Sequence, residues 1–155
     1  MCPSDATCLL GSGARASVLL ERRGPRGFSL GLGYELSLLD GQTVYEVTII
    51  QEVFVNVRQY FMPRRAIHPF VSAAGGIGIL GDTFAVDTAG VIAHFDAGLE
   101  VELSENIAFS GNFGFRMGWF VPFTSEVDEV ERARGGAPTL ILTSSVGLVI
   151  ITSPH

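Results

Sequence analysis

The chain has 155 residues, enough for one domain of ordinary size and not comfortably two. Hydrophobic residues make up 47% and charged residues 17%, yet no apolar run approaches the ~18 residues of a transmembrane helix. The net charge of -6 and the lack of basic runs with interleaved aromatic residues argue against a nucleic-acid partner. Apolar residues that are abundant but dispersed indicate β-strands of alternating polarity.

The first residues, 1–12, are expected to be irregular or part of a loop. Cys2 and Cys8 have no His or Cys partner at metal-ligand spacing. A local disulfide between them in an oxidising compartment is the preferred reading; two free thiols, or a lipoprotein's first cysteine at Cys2, are the alternatives. The start lacks the charged and apolar regions of a signal peptide, so we expect a processed form of a longer precursor.

Four strands are predicted in the first half of the chain, because apolar and polar residues alternate there with a period of two. Gln51 and Gln59 interrupt the apolar face of the third strand, and Ile50 and Phe54 interrupt its polar face. The predicted strands span residues 14–23, 28–38, 46–61 and 69–80.

The clearest alternation follows in residues 91–103, where the odd positions are apolar and the even positions from His94 to Glu102 are polar or glycine. Residues 107–119 repeat the pattern after a short turn at 104–106, which predicts a hairpin. A last strand is predicted at 139–152.

These seven strands of about 10 to 18 residues exceed the five or six that are usual in soluble sheets and suit a bilayer crossing. Short turns are predicted on one rim, at 24–27, 62–68 and 104–106. Longer links are predicted on the other, at 81–88 and 121–138. We therefore expect a single all-β domain over 1–155, an antiparallel up-and-down transmembrane β-barrel whose long outer loop is 121–138. Because bacterial barrels have even strand numbers, we expect about eight strands, one of them missing before residue 12.

Residues 67–78 read Ile-His-Pro-Phe-Val-Ser-Ala-Ala-Gly-Gly-Ile-Gly. This segment resembles the Pro-Tyr-Val-Gly-Ala-Gly-Gly strand of small outer-membrane β-barrels related to OmpA and OmpX. Residues 55–61 resemble the strand that leads into it, and 95–106 resemble the family's glycine-plus-acid strand and periplasmic turn. The chain departs from the family in lacking an evident first strand and a terminal aromatic residue. The resemblance implies export and insertion into the outer membrane of a Gram-negative cell envelope, but no particular activity.

Charged side chains on the polar faces would point into a lumen just wide enough to hold side chains, where unpaired charges are costly. The sequence therefore predicts a salt-bridged lumen, with Arg58 and Arg116 set against Glu52, Asp96 and Glu100. The predicted network comprises Arg15, Glu35, Glu52, Arg58, His94, Asp96, Glu100 and Arg116. A gated ion or proton path through His94 is the alternative.

No catalytic residue, cofactor or metal is predicted. His94 has no serine at the offset of a lipid A deacylase, His68 precedes Pro69 in the predicted 62–68 turn, and His155 is terminal. No nucleophile-elbow or zinc motif is present. Trp119, Phe120 and Phe123 are expected to form an aromatic girdle at the outer interface.

The sequence thus predicts an outer-membrane barrel with a structural or surface-interaction role. Its expected partners are the lipid bilayer, lipopolysaccharide and an extracellular or envelope protein that contacts 121–138. A soluble lipocalin-like ligand-binding barrel and a narrow ion channel are the alternatives.

Overall fold

A computed structural model describes residues 13–40, 47–62, 67–81, 86–124, 131–132 and 139–152. Their strands form one closed barrel and a separate two-stranded ladder, so the all-β prediction is confirmed. Cys2 and Cys8 lie outside the described residues. The barrel strands are β1 (Gly13–Arg23), β2 (Phe28–Asp40), β3 (Val47–Tyr60), β4 (Ile67–Gly81), β5 (Val86–Ser104), β6 (Ile107–Phe120) and β9 (Thr139–Thr152).

The ladder lies within the segment 121–138, which the sequence predicts to be a loop. It pairs β7 (Phe123–Thr124) with β8 (Glu131–Arg132) in antiparallel register. Two further differences concern strand ends: β5 begins at Val86 rather than 91, and β4 at Ile67 rather than 69. The link between β4 and β5 is therefore only 82–85, so 121–138 alone makes one rim longer than the other.

Each barrel strand pairs with the next in antiparallel register, and β6 pairs with β9 across the 121–138 segment. We call the end of the barrel with the connections 24–27 and 105–106 the turn rim, and the end with 121–138 the loop rim. β1 and β9 both run from the loop rim to the turn rim.

The barrel closes through a parallel ladder between β1 and β9, from the Ala16–Val146 pair to the Arg22–Thr152 pair. An up-and-down barrel with an odd number of strands brings its first and last strands together in the same direction, so the closing ladder has to be parallel. The sequence predicts about eight strands with antiparallel closure. The described residues instead close with seven, and both edges of β1 are paired.

The turn between β1 and β2 shows why glycine is needed at one rim position. It is a short 3-10 turn over Pro25–Gly27, with Arg26 at φ 67° and Gly27 at φ 75°. A Cβ on Gly27 would also lie 2.6 Å from the carbonyl oxygen of Tyr60. The left-handed backbone and the close approach of β3 together favour glycine.

Candidate functional site: the barrel lumen

Side chains alternate between the lumen and the outer surface, as the period of two requires. On β6, Phe113 is 61% exposed on the outside, whereas Arg116 is 2% exposed on the inside. The lumen therefore holds most of the charged side chains of the described strands. They form two ionic networks, one toward each rim.

The loop-side network is centred on three carboxylates and two arginines. Arg15 Nη1 donates to Glu35 at 3.2 Å, and Arg116 bonds the same carboxylate and lies 3.3 Å from Glu52. His94 Nε2 lies 2.7 Å from Glu52. The members of this network are Arg15, Glu35, Glu52, His94, Asp96 and Arg116.

The turn-side network has the same charged composition, with a tyrosine added. Arg58 donates to Glu100 at 3.2 Å, and Arg23 bonds Glu100 as well as Glu102, the latter at 2.6 Å. The Tyr60 hydroxyl lies 2.7 Å from Glu100 and 3.0 Å from Glu21, so these carboxylates share one donor. The members of this network are Glu21, Arg23, Arg58, Tyr60, His68, Glu100 and Glu102.

His68 lies in β4 with its side chain in the lumen and is 2% exposed. This corrects its predicted place in a turn. Its Nδ1 lies 2.9 Å from the Met62 carbonyl oxygen and its Nε2 lies 3.2 Å from Glu102. His68 thereby ties the end of β3 to the end of β5.

The structure brings together all eight residues predicted for the lumen network, but divides them between two networks. Six belong to the loop-side network, whereas Arg58 and Glu100 belong to the turn-side network. The pairs Arg58–Glu100 and Arg116–Glu52 are present, and Asp96 lies nearest Arg15, at 3.9 Å. The sequence-predicted set lacks Glu21, Arg23, Tyr60, His68 and Glu102, although all but His68 stand at polar-face positions of recognised strands.

Two apolar clusters also lie in the lumen, and they explain the residues that interrupt the polar face of β3. Phe54 packs with Leu19, Ala108, Val149 and Ile151. Ile50 packs with Leu80 and Ile92 near the loop rim, and Phe120 packs against them. Both β3 side chains are thus core residues of a narrow barrel.

The outer surface has two polar interruptions on β3, and both are hydrogen-bonded. Gln51 accepts a hydrogen bond from the Tyr34 hydroxyl at 3.0 Å. The Gln59 amide donates to the carbonyl oxygens of Arg26 at 3.0 Å and Tyr60 at 3.1 Å. Pairing of this kind lets an amide stand on an apolar face without an unsatisfied polar group.

The predicted aromatic girdle is only partly assembled among the described side chains. Trp119 faces outward and is 39% exposed. Phe120, the next residue of the strand, points the opposite way and packs inside the barrel. The side chain of Phe123 lies outside the described part of the chain.

An apolar groove of about 620 Å³ crosses the outer surface over β3 to β6 and β9. Ala73 and Ala97 are among the residues that line it. Phe95 and Phe115 stack beside it with ring centroids 5.3 Å apart. Phe113 continues the wall, so small side chains among aromatic ones create the concavity.

Comparisons of the chain with protein-family models, curated proteins and solved structures found no match. The resemblance to OmpA- and OmpX-related barrels stays a prediction from motifs. Among the described residues, no three His, Cys, Asp or Glu side chains are grouped so as to hold a metal ion. Within the same ranges, no helix is long and apolar enough to cross a membrane.

Proposed function

We propose that this chain is an integral barrel of the bacterial outer membrane with a structural or surface-interaction role. The observation that carries the proposal is the polarity of the two faces: outward side chains are predominantly apolar, and inward ones include the two ionic networks. A soluble lipocalin-like barrel needs the opposite arrangement, with polar residues outside and an apolar cavity. The two faces of this barrel therefore favour lipid as its surroundings.

Exposed apolar residues occur on every barrel strand rather than in a single patch. Leu142, Ile77 and Phe113 are 71%, 69% and 61% exposed, and they come from β9, β4 and β6. The largest apolar patch on a typical soluble monomer is about 300–600 Å². Removing apolar surface from water stabilises a protein by about 25 cal/mol for each Å². A barrel with exposed apolar residues on every strand is therefore more stable in hydrocarbon than in water.

The height of the apolar wall fits a bilayer. On β2, every outward residue from Phe28 to Leu38 is apolar or tyrosine, over ten residue steps. At about 3.4 Å per residue and a tilt of about 40°, these steps span about 26 Å along the barrel axis. The apolar band of outer-membrane barrels is about 25 Å tall.

The proposed partners follow from this placement. Acyl chains of the surrounding lipid would pack into the groove over Ala73 and Ala97, and lipopolysaccharide would border the loop rim. A protein partner in the envelope or outside the cell would contact the 121–138 segment.

The proposal predicts that a charged residue on the outer face destabilises the barrel more when it lies near the middle of the bilayer than when it lies near a rim. Val146 and Leu140 both point outward on β9, the first near mid-strand and the second next to the loop rim. We expect Val146→Arg to destabilise the folded barrel in lipid vesicles by about 2–4 kcal/mol, and Leu140→Arg to destabilise it by about 0–1 kcal/mol. Equilibrium refolding from urea into vesicles measures both values.

Flotation of the folded chain with the vesicles in a density gradient provides the matching control. We expect the unmodified protein to float with lipid and to need detergent once extracted. A protein that is fully soluble and monodisperse without detergent, with both arginine variants equally stable, would rule out the membrane placement.

A further inference from the structure

Nine buried side-chain atoms have no hydrogen-bond partner among the described residues, and five of them belong to side chains that lie close together in the lumen. Each belongs to a side chain or residue that is less than one-tenth exposed. Such atoms are rare in folded proteins, because each one loses its hydration without replacement. The five atoms are Arg15 Nη2, Asn56 Oδ1, Arg58 Nε, Ser72 Oγ and Asp96 Oδ1.

Strand register places these side chains next to one another. Arg58, Ser72 and Asp96 stand directly opposite each other on β3, β4 and β5. Asn56 is the next inward residue of β3, diagonal to Ser72. Arg15 comes from β1, and its Nη2 lies 3.9 Å from Asp96 Oδ1. That separation is too long for a direct hydrogen bond, so each of the two atoms needs another partner, such as a water molecule beside both.

The chemistry of the five atoms selects the ligand. The guanidinium nitrogens of Arg15 and Arg58 only donate, the oxygens of Asp96 and Asn56 accept, and the Ser72 hydroxyl does both. A bound cation would face two guanidinium groups, and a bound halide would face a carboxylate. Water donates and accepts, so it alone of these small ligands matches the whole set.

We infer that a cluster of ordered water molecules occupies the middle of the lumen, bound by Asp96, Arg15, Arg58, Ser72 and Asn56. Arg15 and Asp96 belong to the loop-side network and Arg58 to the turn-side network. The water cluster therefore joins the two networks into one hydrogen-bonded column. This site depends on the interior of the barrel alone and does not require the proposed membrane placement.

A crystal structure of the unmodified protein tests the site directly. We expect ordered water within hydrogen-bond distance of Asp96 Oδ1 and of at least two of the other four atoms. Crystals soaked in bromide or rubidium salts separate the alternatives, because both ions give an anomalous signal. An ion at this position, or a dry interior, would overturn the inference.

Two matched valine variants test the site in solution. Ser72 and Ser145 are both inward-facing and 8% exposed, but the Ser145 hydroxyl bonds Asn112 within the barrel. Magnetic relaxation dispersion of the solvent counts long-lived internal waters in the folded protein. We expect Ser72→Val to lose at least one such water and Ser145→Val to lose none. Equal losses, or no internal water in the unmodified protein, would contradict the proposal whatever the outcome of the vesicle experiments.

Discussion

Glu100 is a fully buried carboxylate that accepts hydrogen bonds from three side chains. It accepts hydrogen bonds from Tyr60 and Arg58 at 2.7 and 3.2 Å, and from Arg23. Burying a carboxylate costs several kcal/mol, which charge-assisted hydrogen bonds from more than one donor offset. Glu100 should therefore matter to stability through the arginines that it neutralises.

Removing this charge should be strongly destabilising. We expect Glu100→Leu to lower the free energy of unfolding by about 3–5 kcal/mol, because the variant removes a carboxylate that neutralises both Arg58 and Arg23. Glu100→Gln keeps the volume and part of the hydrogen bonding, so its loss should be smaller. Urea unfolding of the refolded protein measures both. Glu105→Gln, in the exposed β5–β6 turn, serves as the control and should leave stability unchanged; equal losses for all three variants would refute this role.

Gly33 makes room for an aromatic ring on the neighbouring strand. A Cβ at this position would lie 2.6 Å from Cε2 and 2.8 Å from Cε1 of Phe54. Atoms at such distances overlap, so one of the two side chains has to move. The narrow lumen thus depends on a glycine facing a large residue.

We expect Gly33→Val to destabilise the barrel by about 1–3 kcal/mol through overpacking. In the double variant with Phe54→Ala, the added valine should cost much less than in the unmodified background. A double-mutant cycle of urea unfolding measures the coupling. Additive effects of the two substitutions would show that Gly33 and Phe54 do not compete for space.

At the scale of elements, the seam between β1 and β9 decides how the barrel closes. All other neighbouring barrel strands are antiparallel, and this pair alone is parallel. In the parallel register Val18 faces Leu148, and both side chains point outward. An eighth strand between β1 and β9 would separate these two residues.

Cross-linking distinguishes the two closures. In a chain with Cys2→Ser and Cys8→Ser, we expect Val18→Cys and Leu148→Cys to form a disulfide on oxidation. Directly opposed strand residues lie within the Cα–Cα range of about 4.4–6.8 Å that a disulfide spans. Val18→Cys with Leu142→Cys, six residues away on the same face, is the control and should not cross-link. Mass spectrometry of the peptides reads the result, and an unlinked first pair would favour a barrel with another strand at this seam.

At the scale of the whole molecule, the lumen is filled rather than open. Each network contains three carboxylates, two arginines and one histidine, with apolar clusters packed between the walls. In a barrel of this size, side chains occupy the interior. The networks bind their charges to each other, which leaves few of them to coordinate a passing ion.

A narrow channel would produce unitary current steps in planar bilayers. Because the lumen is filled, we expect no such steps from the unmodified protein, once flotation has confirmed that it inserts. Reproducible steps from the purified barrel would contradict a filled lumen and restore the ion-path alternative.

Several features of the barrel could be predicted from the sequence because they depend on local periodicity. Alternation in segments such as 28–38 and 107–119 predicts both the strand and the face of each side chain, since successive residues of a strand point to opposite sides. The charged residues on the polar faces of these strands predict that the interior holds charge. The positions of Arg15, Glu35 and Arg116 in the lumen follow from this rule.

Other features depend on the curvature of the sheet, which cannot be predicted from a local sequence pattern. Because Pro69 follows it, His68 is predicted from the sequence to lie in a turn. In the structure β4 begins at Ile67, so the His68 side chain lies in the lumen beside Glu102. The pairing of Arg15 with Glu35 and Asp96, and the division into two networks, require strands that face each other across the lumen. The parallel closure of β1 on β9 follows from the number of strands that meet around the axis. The amino-acid sequence determined which side chains point inward, because that is a property of each strand by itself; the tertiary structure decided which of them touch, because contact depends on the curvature that closes the barrel.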